Sequence, residues 1–167
     1  MKTLKRRRKE QKTDYHKRIK LLKGNLPRIV FRKTNNYLIA QYVKSDEAKD
    51  KVEAGVNSKK LLDYGWPKEF KGSLKSIPAA YLTGFLMGKK ISVKTSKKMA
   101  PIVDFGMIRS IHKNKVFAFL KGLKDSGIEV KCDEKAFPEE DRIKGKHLKK
   151  DFSKHFQEVK SKIEAGK

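Results

Sequence analysis

Residues 28–43, "RIVFRKTNNYLIAQYV", decide the fold. Two runs rich in β-branched and aromatic residues flank Thr34-Asn35-Asn36. An Asn-Asn pair between such runs predicts a two-residue hairpin loop, because asparagine tolerates the left-handed backbone those turns use. With Asn35 and Asn36 as the loop, strands 28–34 and 37–43 oppose Thr34 with Tyr37, Lys33 with Leu38, Arg32 with Ile39, Phe31 with Ala40 and Val30 with Gln41. One face then carries Ile29, Phe31, Ala40 and Tyr42, which suits a core. The other carries Arg28, Val30, Arg32, Ile39 and Gln41, half apolar and half polar. A slip of one residue would exchange the two sets.

On the N-terminal side, Thr13 or Asp14 caps a short helix whose Tyr15, Ile19 and Leu22 share one side and which Gly24 ends. Residues 1–12, "MKTLKRRRKEQK", hold seven basic residues and one acid. Like charges at that density do not pack alone, so this arm is expected to be disordered in the free protein. On the C-terminal side, a third strand is expected near Lys51–Asn57. Ser58 then caps a short helix, "KKLLDY", that stops at Gly65. The segment "GWPKEFKGSLKSI" has turn chemistry and an exposed-looking Trp66.

"SIPAAYLTGFLMGKK" is the strongest helical pattern, with Ser76 as cap, Pro78 in the first turn and Gly88 as the end. It is apolar nearly all round, so it should be buried against the sheet. "PIVDFG" (101–106) reads as an internal strand. "NKVFAFLKGLKDSG" follows as an amphipathic helix with Val116, Phe117, Leu120 and Leu123 inward and Gly127 as its stop. "FPEEDRIKGKHL" gives a proline-led start with acids at a helix's positive end. In the last segment Phe152, Phe156, Val159 and Ile163 form a narrow stripe, open to three readings: docked on the domain, docked on a partner, or marginally helical alone.

The order of elements predicts an α/β fold: a small mixed sheet of antiparallel hairpin strands plus one internal strand, with helices packed mainly on one face. The expected organisation is a basic arm at 1–12, an α/β core at 13–130 and a helical C-terminal extension at 131–167. If helices cover one face, the mixed hairpin face is left as a binding surface.

Composition narrows the partner. The chain of 167 residues carries 43 Lys+Arg against 19 Asp+Glu, a net charge of +24. Such an excess repels itself in the compact state and is best tolerated beside a polyanion. Cys132 is the one cysteine, so no disulfide framework or Cys-based zinc site is expected, in keeping with a reducing compartment. No run approaches the length of a membrane span and no apolar leader opens the sequence, which points to a cytosolic protein.

Catalytic motifs are weak. Gly84 to Lys90 is one residue too short for a phosphate loop and lacks its Ser or Thr, so helix termination is the simpler reading of both glycines. His16, His112, His147 and His155 are scattered without metal-ligand spacing. Asp104, on an expected strand, is a lone carboxylate and reads as a cap or salt-bridge partner, although a metal-dependent RNA-processing nuclease centred there is the alternative function. No catalytic residue, metal or cofactor is assigned. What remains is binding: lysines and arginines for phosphates, Tyr15, Tyr37 and Trp66 for stacking, and Asn35, Asn36 and Gln41 for base edges and 2′-hydroxyls. A structured RNA fits this dispersed charge better than DNA. A third reading lays the arm and the Phe152/Phe156 stripe on an anionic membrane.

Five segments taken together resemble a known family. "KTDYHKR" (12–18), "FRKTNNYLIAQ" (31–41), "PAAYLTGFLMGKK" (78–90), "FLKGLKDSG" (119–127) and "FPEEDRIKGKH" (137–147) are similar, in order, to the archaeal form of universal large-subunit ribosomal protein eighteen. The resemblance implies a structural role without enzymatic activity, binding to 5S ribosomal RNA, and a place in the central protuberance of the cytoplasmic large ribosomal subunit. It implies 23S ribosomal RNA and large-subunit ribosomal protein five as neighbours, and neither a membrane nor a small-molecule substrate. Carried over by position, the RNA contacts would be Arg6, Arg7, Arg8 and Lys9 of the arm, then Lys12, Thr13, Tyr15, Lys17 and Arg18. The hairpin would add Arg28, Arg32, Lys33, Thr34, Asn35, Asn36 and Gln41, and the loop before the apolar helix Trp66, Lys71 and Lys75. The family more often has Arg where this chain has His16 or Lys17, and the tail from about Lys149 has no counterpart in the pattern.

Overall fold

A computed structural model of the chain describes residues 3–47, 49–94, 100–148 and 151–166; the side chains of residues 71, 73, 93 and 94 are outside that description. The hairpin strands are β1 (Arg28–Lys33) and β2 (Leu38–Asp46), paired antiparallel in the expected register: Arg32 faces Ile39, Phe31 faces Ala40 and Val30 faces Gln41. The turn differs from expectation. Asn35 and Asn36 both keep negative φ. The Thr34 hydroxyl holds the turn instead, accepting from Tyr37 N and donating to Tyr37 O, each at 2.9 Å, while Thr34 N also donates to Tyr37 O. A side-chain oxygen thus replaces a backbone acceptor, and no left-handed residue is required.

Strand β3 (Lys49–Asn57) pairs antiparallel with β2, with a register shift at Tyr42/Val43. Strand β4 (Ile102–Asp104) pairs in parallel with β1, giving the order β3-β2-β1-β4. β4 is therefore an edge strand and not an internal one. Its apolar run is explained by packing beneath it, not by a neighbour on each side.

Ile29, Phe31, Ala40, Tyr42, Ala54 and Val56 line the buried face. Upon them lie α3 (Ile77–Lys94) and α4 (Lys115–Asp125). Phe31 meets Phe119 at a 4.5 Å ring separation. Helix α3 runs six residues past Gly88, which corrects the reading of Gly84 and Gly88 as terminators. Both are contact residues: a Cβ on Gly84 would lie 2.3 Å from Phe119 O, and one on Gly88 would meet the Ser126 side chain. Gly122 on α4 answers them, with Tyr81 O at 2.1 Å from a Cβ there. The small residues let two helices approach almost backbone to backbone.

The remaining helices are α1 (Arg6–Lys9), α2 (Tyr15–Lys23), α5 (Glu140–Lys144) and α6 (Ser153–Glu164). Phe152, Phe156, Val159 and Ile163 are all buried in the same cluster as the sheet and α3. Phe152 lies tilted against Trp66 at a 4.5 Å ring separation; Trp66 is only 3% exposed and its Nε1 donates to Phe70 O. The exposed reading of Trp66 is thus corrected, because the C-terminal stripe covers it. Asn57, not Ser58, caps the following 3-10 turn at Ser58–Leu62; Ser58 is buried and its hydroxyl accepts from Leu38 N.

Candidate nucleic-acid interface

Helix α2 is held at its start by Asp14, whose carboxylate accepts from His16 N and Lys17 N. Its half-buried side is Tyr15, Arg18, Leu21 and Leu22, while Ile19 is 53% exposed, which corrects the expected place of Ile19 in the Tyr15–Ile19–Leu22 stripe. This side lies over part of the sheet face that α3 and α4 leave uncovered. Between arm, helix and sheet runs a cleft of about 100 Å³ lined by six cations: Arg7, Lys12, Lys17, Arg18, Arg28 and Arg32.

The arm enters the cleft in a defined conformation. Residues 6–9 form one helical turn with no buried residue, where a disordered arm was expected. Arg7 Nε donates to Thr13 Oγ1 at 2.9 Å, and Glu10 draws in Lys12 at 2.7 Å and Arg6 at 3.7 Å. Lys5 lies 4.7 Å over the Tyr15 ring.

Three of the cleft's arginines are held by two acids: Asp50, which sequence reading did not single out, and Asp104, which it read as a cap or salt-bridge partner. Arg28 was expected on the open surface but is 2% exposed. Its Nη2 donates to Asp50 Oδ1 at 2.7 Å and to Ser45 Oγ at 2.8 Å. Asp50 also takes Arg18 Nη2 at 2.9 Å, so one carboxylate ties α2 to β1 and β3. Burial pushes the Asp50 carboxyl up, but the hydrogen bonds from Ser45 and Arg18 and the charge of Arg28 outweigh it and hold it below the usual range. The local cue was the charged turn "KSDEAKD", whose acids point to no particular partner along the chain.

Arg32 is held by the other acid, Asp104. Its Nη1 donates to Phe31 O and Asp104 O, and its Nη2 to Asp104 Oδ2 at 2.9 Å, while the side chain stays 41% exposed. Gly106, with φ +61, lies flat against the guanidinium: a Cβ there would come within 2.9 Å of Arg32 Cζ. Burial raises the Asp104 carboxyl, yet the Gly106 N–H and Arg32 bring it below the ordinary range. This is the salt-bridge role expected for Asp104. Among the described residues no group of three or more His, Cys, Asp or Glu is assembled that could hold a metal.

Beyond α2 the face stays open. Val30, Ile39 and Gln41 are half-exposed, Val52 is 50% exposed, and a Cβ on Gly55 would meet nothing within 4 Å. Lys33, Thr34, Asn35 and Asn36 are exposed at the hairpin tip, where Lys75 Nζ donates to Asn35 O at 2.5 Å. Arg6, Arg8 and Lys9 are exposed on the arm. Tyr37 is occupied from one side by Lys59, 4.6 Å above its ring. The side chain of Lys71 lies outside the described residues.

Comparison with known proteins decides the family. A family model described as ribosomal large subunit proteins 60S L5 and 50S L18 matches residues 1–101. The large ribosomal subunit protein uL18 of Korarchaeum cryptofilum (strain OPF8) is 43% identical over 143 residues, 86% of this chain and 70% of that protein. The chain belongs to this ribosomal family. The uL18 protein of Methanoregula boonei (strain DSM 21154 / JCM 14090 / 6A8) is 41% identical, over 86% of this chain and 79% of its own length. As a member of the uL18 family the chain is a component of the large subunit of the cytoplasmic ribosome, with ribosomal RNA and ribosomal proteins as partners, and not an enzyme.

Proposed function

We propose that this protein binds 5S ribosomal RNA and helps attach it to 23S ribosomal RNA in the central protuberance, beside large-subunit ribosomal protein five. The observation that carries the reading is the coincidence of the six-cation cleft with the open, half-apolar face of the sheet. Arg7, Lys12, Lys17 and Arg18 neutralise phosphates along one strand of RNA. Arg32, immobilised by Asp104, offers a planar guanidinium with little ordering entropy left to lose. Val30, Ile39 and the bare backbone at Gly55 give sugars and bases a flat contact, while Gln41 reads polar edges. Trp66 takes no part in this surface, and Arg28 acts from beneath it by holding Asp50.

The test is a pull-down from total RNA followed by sizing. Enrichment of a discrete 5S species is expected. Recovery of random fragments without that enrichment would leave general RNA binding and remove the 5S assignment.

A further inference from the structure

A recess of about 470 Å³ opens on the helix side of the sheet, between strand β3, helix α3 and the end of helix α6. Ala54, Tyr64, Leu86 and Ile163 give it an apolar floor, and the exposed side chains of Lys60 and Lys89 stand at its rim. Its size falls within the range of about 300–1,000 Å³ of ligand-binding clefts. The contacts implied by the family resemblance lie on the arm, on α2, at the hairpin and in the loop before α3, and none of them lines this recess. Helix α6 belongs to the tail for which the resemblance has no counterpart.

Strand β3 ends the sheet order β3-β2-β1-β4, so its outer N–H and C=O groups have no strand partner among the described residues. Such an edge accepts an added strand main chain to main chain, with alternate side chains dropping into the recess beside it. Those side chains would meet Tyr64, Leu86 and Ile163 and must be apolar. Charge decides the others. Glu53, the acid that lines the recess, is met by Lys44 at 2.9 Å. Among the described residues Lys60 has no carboxylate partner, and Lys89 rests 5.6 Å over the Phe85 ring instead of on an acid. Unmatched cations above an apolar floor complement a segment that alternates acidic and apolar residues. A hydrated phosphate backbone gains nothing from that floor, which sets the recess apart from the cleft at α2.

We propose that this recess docks an extended acidic segment of a neighbouring ribosomal protein, which adds as a strand to β3 at Glu53–Gly55 while its carboxylates meet Lys60 and Lys89. The cleft at α2 lies on the uncovered face of the sheet, so RNA and the protein segment are held at once. This inference goes beyond the RNA reading and does not depend on which RNA is bound.

The experiment titrates the full-length protein with a short synthetic peptide alternating Glu and Leu, read by NMR amide shifts. A peptide alternating Glu and Ser carries the same charge without the apolar anchors. The double variant Lys60→Glu/Lys89→Glu is compared with Lys135→Glu/Lys154→Glu, which makes the same change in net charge at exposed side chains outside the recess. Expected are shifts concentrated at residues 53–55 and 86–90, and binding of the Glu/Ser peptide at least about tenfold weaker. The Glu/Leu peptide should lose about tenfold in affinity in the recess variant and under about twofold in the other. Equal binding of the two peptides would overturn the proposal, as would equal losses in the two variants, which would reduce the effect to overall charge. So would an RNA salt slope shallower in the recess variant than in its control, which would give the recess to RNA.

Discussion

Arg28 and Asp50 meet at 2.7 Å beneath helix α2, with the arginine side chain 3% exposed and the aspartate 31%. The pair joins two strands, and through Arg18 it also fixes helix α2, which carries Lys17 and Arg18 of the cleft. Strand pairing and the cleft share this one carboxylate.

Asp50→Ala should therefore destabilise the fold by about 2–3 kcal/mol, since Arg28 would be left buried with only Ser45 as a partner. Arg18→Ala removes a half-exposed ion pair and should cost under about 1 kcal/mol. Urea unfolding separates the two. RNA affinity should fall in both, because each loosens α2.

The glycines of the helix contact make a contrasting set. Gly84→Ala and Gly122→Ala must each push apart backbones that a Cβ would approach within 2.3 Å and 2.1 Å, costing at least about 2 kcal/mol. Gly55→Ala meets open space and should leave the unfolding midpoint unchanged or slightly raised. If RNA lies flat on the sheet, Gly55→Ala should still weaken RNA binding in a filter assay.

Acid should weaken the fold through Asp104 and Asp50. Both carboxyls titrate below their unfolded value, so their contribution is present above the ordinary aspartate range near about pH 4 and is lost as pH falls through the folded values. Asp104→Asn should lower stability at neutral pH and make the loss on acidification shallower. Asp50 keeps that limb from becoming flat. Urea midpoints measured from about pH 5 downward read both effects.

Contacts in the arm and on the sheet should differ in kind. Arg7→Ala should weaken binding to all RNAs and reduce the salt slope by about one unit. Gln41→Ala and Asn35→Ala should leave that slope alone and reduce discrimination between 5S and random RNA. Titrations of both RNAs over a range of salt distinguish these outcomes.

The register of the hairpin was legible because alternation and turn position specify it jointly, and Phe31 opposite Ala40 admits no slip without burying Arg32. The turn's conformation was not, since Thr34 supplies a hydroxyl that the Asn-Asn pair masks. Trp66 looked exposed because the rings covering it, above all Phe152, come from the far end of the chain. Gly84 and Gly88 were misread for the same reason: a terminating glycine and a contact glycine look alike until α4 is placed. The site divides similarly. The arm and tip residues announced themselves by composition, whereas Asp50, Ser45 and Gly106 act on the arginines only through strand pairing and a turn.

The central claim is tested most directly by competition at physiological salt, with labelled 5S RNA bound to the full-length protein and an unlabelled random RNA of equal length as competitor. The structure's fixed Arg32, polar Gln41 and flat open face predict that 5S RNA stays bound at equal competitor concentration and that Gln41→Ala narrows the preference. Equal displacement by the random RNA, unchanged in Gln41→Ala, would contradict it.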